Sequence, residues 1–169
     1  IVSLKKNIIV SGSHGKTTTT SLISKILLEA KLDPTIINGG VINSIKNNAK
    51  LGKGDWAVLE ADESDGSFLK LPINYSIVTN IDKEHLDFYK NYKNLKKAFS
   101  LFIDKTPYLG KAFVCSDSKD LKNIILKSKN RNFFTYGFNK KSNYQVFNTS
   151  YKKEYSKFDL KISLPSQKT

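Results

Sequence analysis

The stretch Asn7-Ile8-Ile9-Val10-Ser11-Gly12-Ser13-His14-Gly15-Lys16-Thr17-Thr18 decides the fold of this chain. An apolar run of strand type enters a loop with two glycines, and a helical stretch begins at Lys16. Glycines let the backbone turn tightly and aim successive N–H groups at one point, which the positive end of the following helix also faces. Lys16 adds a mobile charge, and Thr17 places a hydroxyl where a Mg²⁺ ion bridging two phosphates would sit. Placement between strand and helix separates a phosphate-binding loop from a turn that merely uses glycine. The common pattern has a further glycine where this chain has Val10, so the motif is the shorter Gly-x-x-Gly-Lys-Thr. The candidate nucleotide-binding residues are Gly12, Ser13, His14, Gly15, Lys16, Thr17 and Thr18.

Working outward, Lys16 to Ala30 carries Leu22, Ile23, Ile26, Leu27 and Ala30 at three-to-four-residue spacing, which predicts an amphipathic helix with that face inward. Thr35-Ile36-Ile37 leads into Asn38-Gly39-Gly40, which reads as a turn at a strand end. Two short continuous apolar runs, Trp56-Ala57-Val58-Leu59 and Tyr75-Ser76-Ile77-Val78, have the character of buried parallel strands. A helix is expected over 91–104, with Leu95, Ala98, Phe99, Phe102 and Ile103 on its inner face, and Pro107 and Gly110 close that region. Strand 111–115, helix 118–127 and strand 133–136 form another β-α-β unit. The tail differs, since 144–149 and 158–164 read as an antiparallel hairpin at one edge. The expected fold is α/β: a mostly parallel sheet with helices on both faces and a small antiparallel subsheet near the C-terminus.

Composition sets bounds on function. With 169 residues, 39% of them hydrophobic, the chain can build one core and has no apolar run long enough to span a bilayer. It contains no methionine and no charged-then-apolar leader, which reads as an internal segment of a longer cytoplasmic protein. The single cysteine, Cys115, lies in the run Ala112-Phe113-Val114-Cys115 and reads as a buried structural thiol. The net charge is +13, yet of 28 basic residues only Arg131 is arginine. Scattered lysines without arginine forks describe a solvated surface better than a nucleic-acid interface.

Ligands collect at the carboxyl ends of strands in an open parallel sheet. Three expected strand ends are polar: the phosphate loop after Val10, Glu60 after Leu59, and Thr79-Asn80 with His85 beyond Val78. Glu60 is a natural carboxylate for Mg²⁺. Taken alone, Glu60, Asp62, Glu63 and Asp65 fit an ordinary solvated loop, and His85 fits a capping residue. Their convergence with the phosphate loop makes a phosphate and metal site the economical reading.

Three ordered motifs carry a resemblance. They are Gly12-Ser13-His14-Gly15-Lys16-Thr17-Thr18-Thr19-Thr20, Glu60-Ala61-Asp62-Glu63-Ser64-Asp65-Gly66-Ser67-Phe68-Leu69, and Val78-Thr79-Asn80-Ile81-Asp82-Lys83-Glu84-His85-Leu86-Asp87. Together with Pro107-Tyr108-Leu109-Gly110 and Tyr136-Gly137, they make the whole chain resemble the Mur ligases of peptidoglycan synthesis. The resemblance implies that residues 1–169 are the central ATP-binding domain, with a UDP-binding domain before it and an amino-acid-side domain after it. It implies ATP and Mg²⁺ as cofactors, with Lys16 on the β- and γ-phosphates, Thr17 on one Mg²⁺, and Glu60 and His85 at a second metal. Lys16, Glu60 and His85 are then the catalytic residues. Asn38, Gly39, Gly40 and Asp62 lie where the fold brings a sugar-nucleotide substrate close to the γ-phosphate. Related ligases carry a carbamoylated lysine beyond the histidine, the region of Lys96 and Lys97.

Within the family, the wording Glu-Ser-Asp-Gly-Ser-Phe-Leu and Thr79-Asn80-Ile81 favours the first amino-acid-adding member. Its substrates would be UDP-N-acetylmuramate and L-alanine, joined through an acyl phosphate. The alternative is the ligase that recycles tripeptide onto UDP-N-acetylmuramate. A nucleotide-dependent switch would want a guanine-selecting Asn-Lys-x-Asp loop, and no such tetrapeptide occurs. The family's helix start that helps hold adenosine would follow Thr169, so weak nucleotide binding and no turnover are expected of this segment alone.

Overall fold

The computed structural model describes residues 2–128 and 132–164. Strand β1 (Lys6–Ser11) is apolar through Ile8, Ile9 and Val10 because it lies in the middle of the sheet, with protein on both faces. The other strands are β2 (Thr35–Ile42), β3 (Asn47–Lys50), β4 (Trp56–Glu60), β5 (Tyr75–Val78), β6 (Lys111–Cys115), β7 (Phe133–Gly137), β8 (Tyr144–Tyr151) and β9 (Ser156–Ile162). Among the described residues these form one nine-stranded sheet, ordered β3-β2-β4-β1-β5-β6-β7-β8-β9. Pairing is parallel from β2 through β8, and the two edge pairs, β2 with β3 and β8 with β9, are antiparallel. The C-terminal hairpin expected from sequence is present, and the β2–β3 hairpin is an addition.

Helix α1 (Lys16–Glu29) covers one face over β1, β2 and β4. The short helix α2 (Leu86–Tyr89), α3 (Tyr92–Asp104) and α4 (Lys119–Lys127) follow in the chain. Leu95, Phe99, Phe102 and Ile103 of α3 and Leu121 of α4 share one core with Ile9, Leu59, Val78 and Val114 of the sheet. Phe68, from a 3-10 turn, stacks on Phe102 at 5.0 Å and meets Phe99 at 5.4 Å. Asn91 and Ser118 cap α3 and α4, their side chains accepting from the N–H groups of Asn94 and Leu121. On the α1 face, Ile77, Phe113, Phe134, Tyr136 and Tyr144 lie only half-buried.

Three expectations need correction. The buried stripe of α1 contains Thr20 and Ser24, whereas Leu22 and Ile26 are exposed at 61% and 66%. A helix that leaves the phosphate loop directly runs close over the sheet, and small side chains permit that approach where leucine would not. The Asn38-Gly39-Gly40 segment does not reverse the chain: β2 continues through it to Ile42, with its register against β3 shifting between Ile37 and Ile42. Such an irregularity lets a strand bend while keeping its direction. Cys115 is a free thiol, half-buried against the core rather than fully enclosed.

Candidate active site

The parallel register brings three strand ends level, because Val10 stands opposite Glu60 and Ser11 opposite Val78. The loop after β1 is clamped by the segment after β5. Asn80 Oδ1 accepts from the His14 N–H at 2.8 Å, and its amide donates to the His14 carbonyl at 2.9 Å. The Thr79 hydroxyl donates to the same carbonyl at 2.7 Å. Ser13 donates its N–H to the Asn80 carbonyl at 3.2 Å and accepts from the Asp82 N–H at 2.8 Å through its hydroxyl. His14 projects outward, its Nε2 3.0 Å from Asp82 Oδ2 and 3.7 Å from Glu84 Oε1. Gly12 has φ +137°, and a Cβ there would stand 2.2 Å from the Thr79 hydroxyl oxygen. Only glycine permits this contact between loop and clamp.

Gly15 enters α1 in the left-handed conformation without a side-chain cap, and the first-turn N–H groups of a helix have no partner within it. Thr17 and Thr18 belong to that turn. The Lys16 ammonium folds back over the loop, donating to the Gly12 carbonyl at 2.7 Å, the Ser13 carbonyl at 3.4 Å and Glu63 Oε2 at 3.0 Å. The Thr17 hydroxyl donates to Glu60 Oε1 at 2.9 Å, and Glu60 Oε2 accepts from the Gly39 N–H at 2.7 Å. A Cβ on Gly39 would lie 2.9 Å from the Glu60 carboxylate, so the glycine forms the cradle for that side chain. Asn38 is buried and donates to Ser21 Oγ and the Gly40 carbonyl. Asp62 is exposed and accepts from the Ser64 N–H at 2.9 Å.

The sequence candidates thus fall into two linked groups. Thr17, Gly39 and Glu60 meet directly, while His85 meets Glu63, its Nε2 3.9 Å from Glu63 Oε1. Asp62, Glu63 and His85 each offer an atom within 4.8 Å of the others, a spacing suited to a cation. Glu63 is the residue that sequence reasoning left out. Its side chain is completely buried, and nothing in its identity distinguishes it from the exposed Asp62 and Asp65 on either side. Its backbone is tied to α2, where Tyr89 donates its hydroxyl to the Glu63 carbonyl. Tyr89's own burial, followed by the nearby charge of Glu63, pushes its phenol up to about 12. Lys96 is engaged by Asp120 at 3.2 Å and lies over the Tyr92 ring, and Lys97 is exposed. The Tyr92 hydroxyl, with Lys96 behind it, holds the Asp120 carboxyl below the usual range.

Comparison with known proteins follows the same lines. Residues 10–168 match the Mur ligase middle domain. The chain is 60% identical over 168 residues to the UDP-N-acetylmuramate–L-alanine ligase of Pelagibacter ubique, covering 99% of this chain and 36% of that protein. Among solved structures, a UDP-N-acetylmuramate–alanine ligase from Thermotoga maritima superposes with TM-score 0.80 at 26% identity, over 95% of this chain and 35% of that one. A UDP-N-acetylmuramate:L-alanyl-γ-D-glutamyl-meso-diaminopimelate ligase from Neisseria meningitidis gives TM-score 0.82 at 20% identity, over 96% and 53%, a likeness of fold. The chain spans about a third of the length of the curated relatives it matches. It belongs to the Mur ligase family, of which it carries the middle domain.

Proposed function

We propose that the protein is an ATP-dependent ligase that joins L-alanine to the lactyl carboxylate of UDP-N-acetylmuramate through an acyl phosphate, in the cytoplasm. The observation that carries this reading is that the Thr17 hydroxyl meets the Glu60 carboxylate at the ends of adjacent parallel strands, beside the loop over which the Lys16 ammonium folds. Bound ATP and Mg²⁺ would supply the γ-phosphoryl group and much of the charge that stabilises its transfer. The donor set fits the cation, since Thr17 and Glu60 offer hard oxygen atoms 2.9 Å apart beside the loop.

The chain's own part is binding and alignment. First-turn N–H groups of α1 and the Lys16 ammonium bind phosphate oxygens, and Thr79 and Asn80 hold the loop in its shape. Glu60 is fixed by Gly39, so the cation-holding oxygen stays aimed at Thr17. A free carboxylate is a poor electrophile; phosphorylation gives it a good leaving group, which the amine of L-alanine displaces to form the amide. Asn38, Gly39, Gly40 and Asp62 flank the place where the sugar-nucleotide carboxylate would approach. In this reading, UDP-binding and amino-acid-side domains flank the segment described here.

The test is phosphate release by the full-length protein with ATP, Mg²⁺ and UDP-N-acetylmuramate, comparing L-alanine with L-Ala-γ-D-Glu-diaminopimelate. Turnover that requires L-alanine is expected. Turnover with the tripeptide alone would move the assignment to the recycling reaction, and release with neither would leave only a nucleotide site.

A further inference from the structure

Glu63 has a place in this site that neither the phosphate loop nor the Thr17–Glu60 pair explains. Its carboxylate is completely buried, yet its two oxygens are treated differently. Oε2 accepts from Lys16 at 3.0 Å, whereas Oε1 accepts no hydrogen bond among the described residues and stands 3.9 Å from His85 Nε2, with Asp62 close by. A buried carboxylate with an unsatisfied oxygen is costly, and such groups are retained where something else comes to pair with them. The backbone of Glu63 is held independently, through the Tyr89 hydroxyl on its carbonyl, and Tyr89 also donates its N–H to the His85 carbonyl at 3.0 Å. Glu63 and His85 are therefore built as one unit.

The three N–H donors of Lys16 are all directed at protein acceptors: two loop carbonyls and Glu63. A phosphate group must take at least one of them. The loop carbonyls are fixed by the turn, and the negative phosphate repels the Glu63 carboxylate, so Glu63 is the partner that gives way. Once released, it would be a buried and unpaired anion, which is strongly unfavourable without a replacement cation.

We propose that Glu63 exchanges partners. With the phosphate site empty it holds Lys16 against the loop, and when phosphate draws Lys16 away it joins His85 and Asp62 in holding a divalent cation. Nucleotide and cation binding are then coupled through one carboxylate, and Lys16 acts as an internal competitor of the metal. This rests on the nucleotide-binding part of the reading above, but not on the identity of the amino acid joined.

The test needs neither turnover nor substrate. Mn²⁺ is titrated alone, by its electron spin resonance signal, against the full-length wild type, Lys16→Met and Lys16→Met/Glu63→Gln, each checked for folding by circular dichroism. Removing Lys16 frees Glu63, so Lys16→Met is expected to gain at least tenfold in Mn²⁺ affinity, and the double variant to lose that gain. No gain in Lys16→Met, or a gain that survives Glu63→Gln, overturns the proposal. If Lys16→Met does not fold, ADP binding in EDTA to Glu63→Gln decides. Tighter binding than wild type, from an unencumbered Lys16, supports the exchange, and equal or weaker binding overturns it. Failure of the L-alanine assay would leave both Mn²⁺ outcomes intact, so the two readings fail separately.

Discussion

At the scale of single residues, the site depends on how closely backbone and side chains approach one another. Gly12 and Gly15 flank the same loop but do different work. An alanine at 12 would put its Cβ 2.2 Å from the Thr79 hydroxyl oxygen at φ +137°, forcing loop and clamp apart. Gly15, at φ +80°, has open space for 4 Å around the point where a methyl would stand, so its alanine variant meets only left-handed strain. Gly12→Ala should therefore cost at least about 2 kcal/mol of stability, and Gly15→Ala about 1 kcal/mol. Urea denaturation of both variants checks the order; equal losses would mean that Thr79 yields freely. For Lys16, replacement by alanine removes a charge-assisted bond to phosphate of the kind worth roughly 1.5–3 kcal/mol. The expected loss in ADP affinity is about tenfold to a hundredfold, measured by calorimetry, and unchanged affinity would remove the phosphate-loop account. The loop glycines and Lys16 are legible in the sequence because their residue types have few other uses in such a pattern. Glu63 is not, since its burial is a tertiary fact and an acidic residue among acidic neighbours looks solvated.

At the scale of elements, legibility follows hydrophobic periodicity where packing against apolar partners sets it. Leu95, Phe99 and Phe102 mark the inner face of α3, and all are fully buried in the structure. The same periodicity misleads for α1, where proximity to the sheet at the phosphate loop selects Thr20 and Ser24 for the inner face. It is silent on β2, because Gly39 and Gly40 read as a turn until Glu60 and Thr17 are seen against them. Two consequences for α3 can be measured. Phe99 fills the contact between Phe68 and the sheet core, so Phe99→Ala should cost about 3–5 kcal/mol, while Leu101→Ala, at a position 46% exposed, should cost far less. Asn91→Ala removes the cap on the Asn94 N–H, for a loss of about 1 kcal/mol. Thermal melts of the three variants test whether α3 is held chiefly by its buried face, in which case Phe99→Ala has the lowest midpoint.

At the scale of the molecule, the site and the core meet at Tyr89. Its ring belongs to the core that joins α3 and α4 to the sheet, and its hydroxyl donates to the carbonyl of Glu63 beneath the phosphate loop. That geometry requires the neutral phenol, and burial together with the Glu63 charge raises its pKa from 10.0 to about 12. The sign of the resulting pH dependence follows from linkage: a group whose folded pKa exceeds its unfolded value contributes stability in full below the unfolded value. This contribution is present below pH 10, is lost as pH rises from 10.0 towards about 12, and is gone above that. Burial also raises the phenols of Tyr92 and Tyr136, so wild-type alkaline unfolding sums several sites. Tyr89→Phe isolates the one that matters here, because the other tyrosines are common to both proteins. Urea unfolding of the pair at intervals between pH 8 and pH 12 should show the wild type losing stability relative to the variant, with the change confined to the range above about pH 10. A difference that stays constant across that range would mean that the Tyr89 hydroxyl reaches solvent in the folded protein. The bond joining the core to Glu63 would then be broken as often as made, and the site would have to hold its buried carboxylate without support from α2.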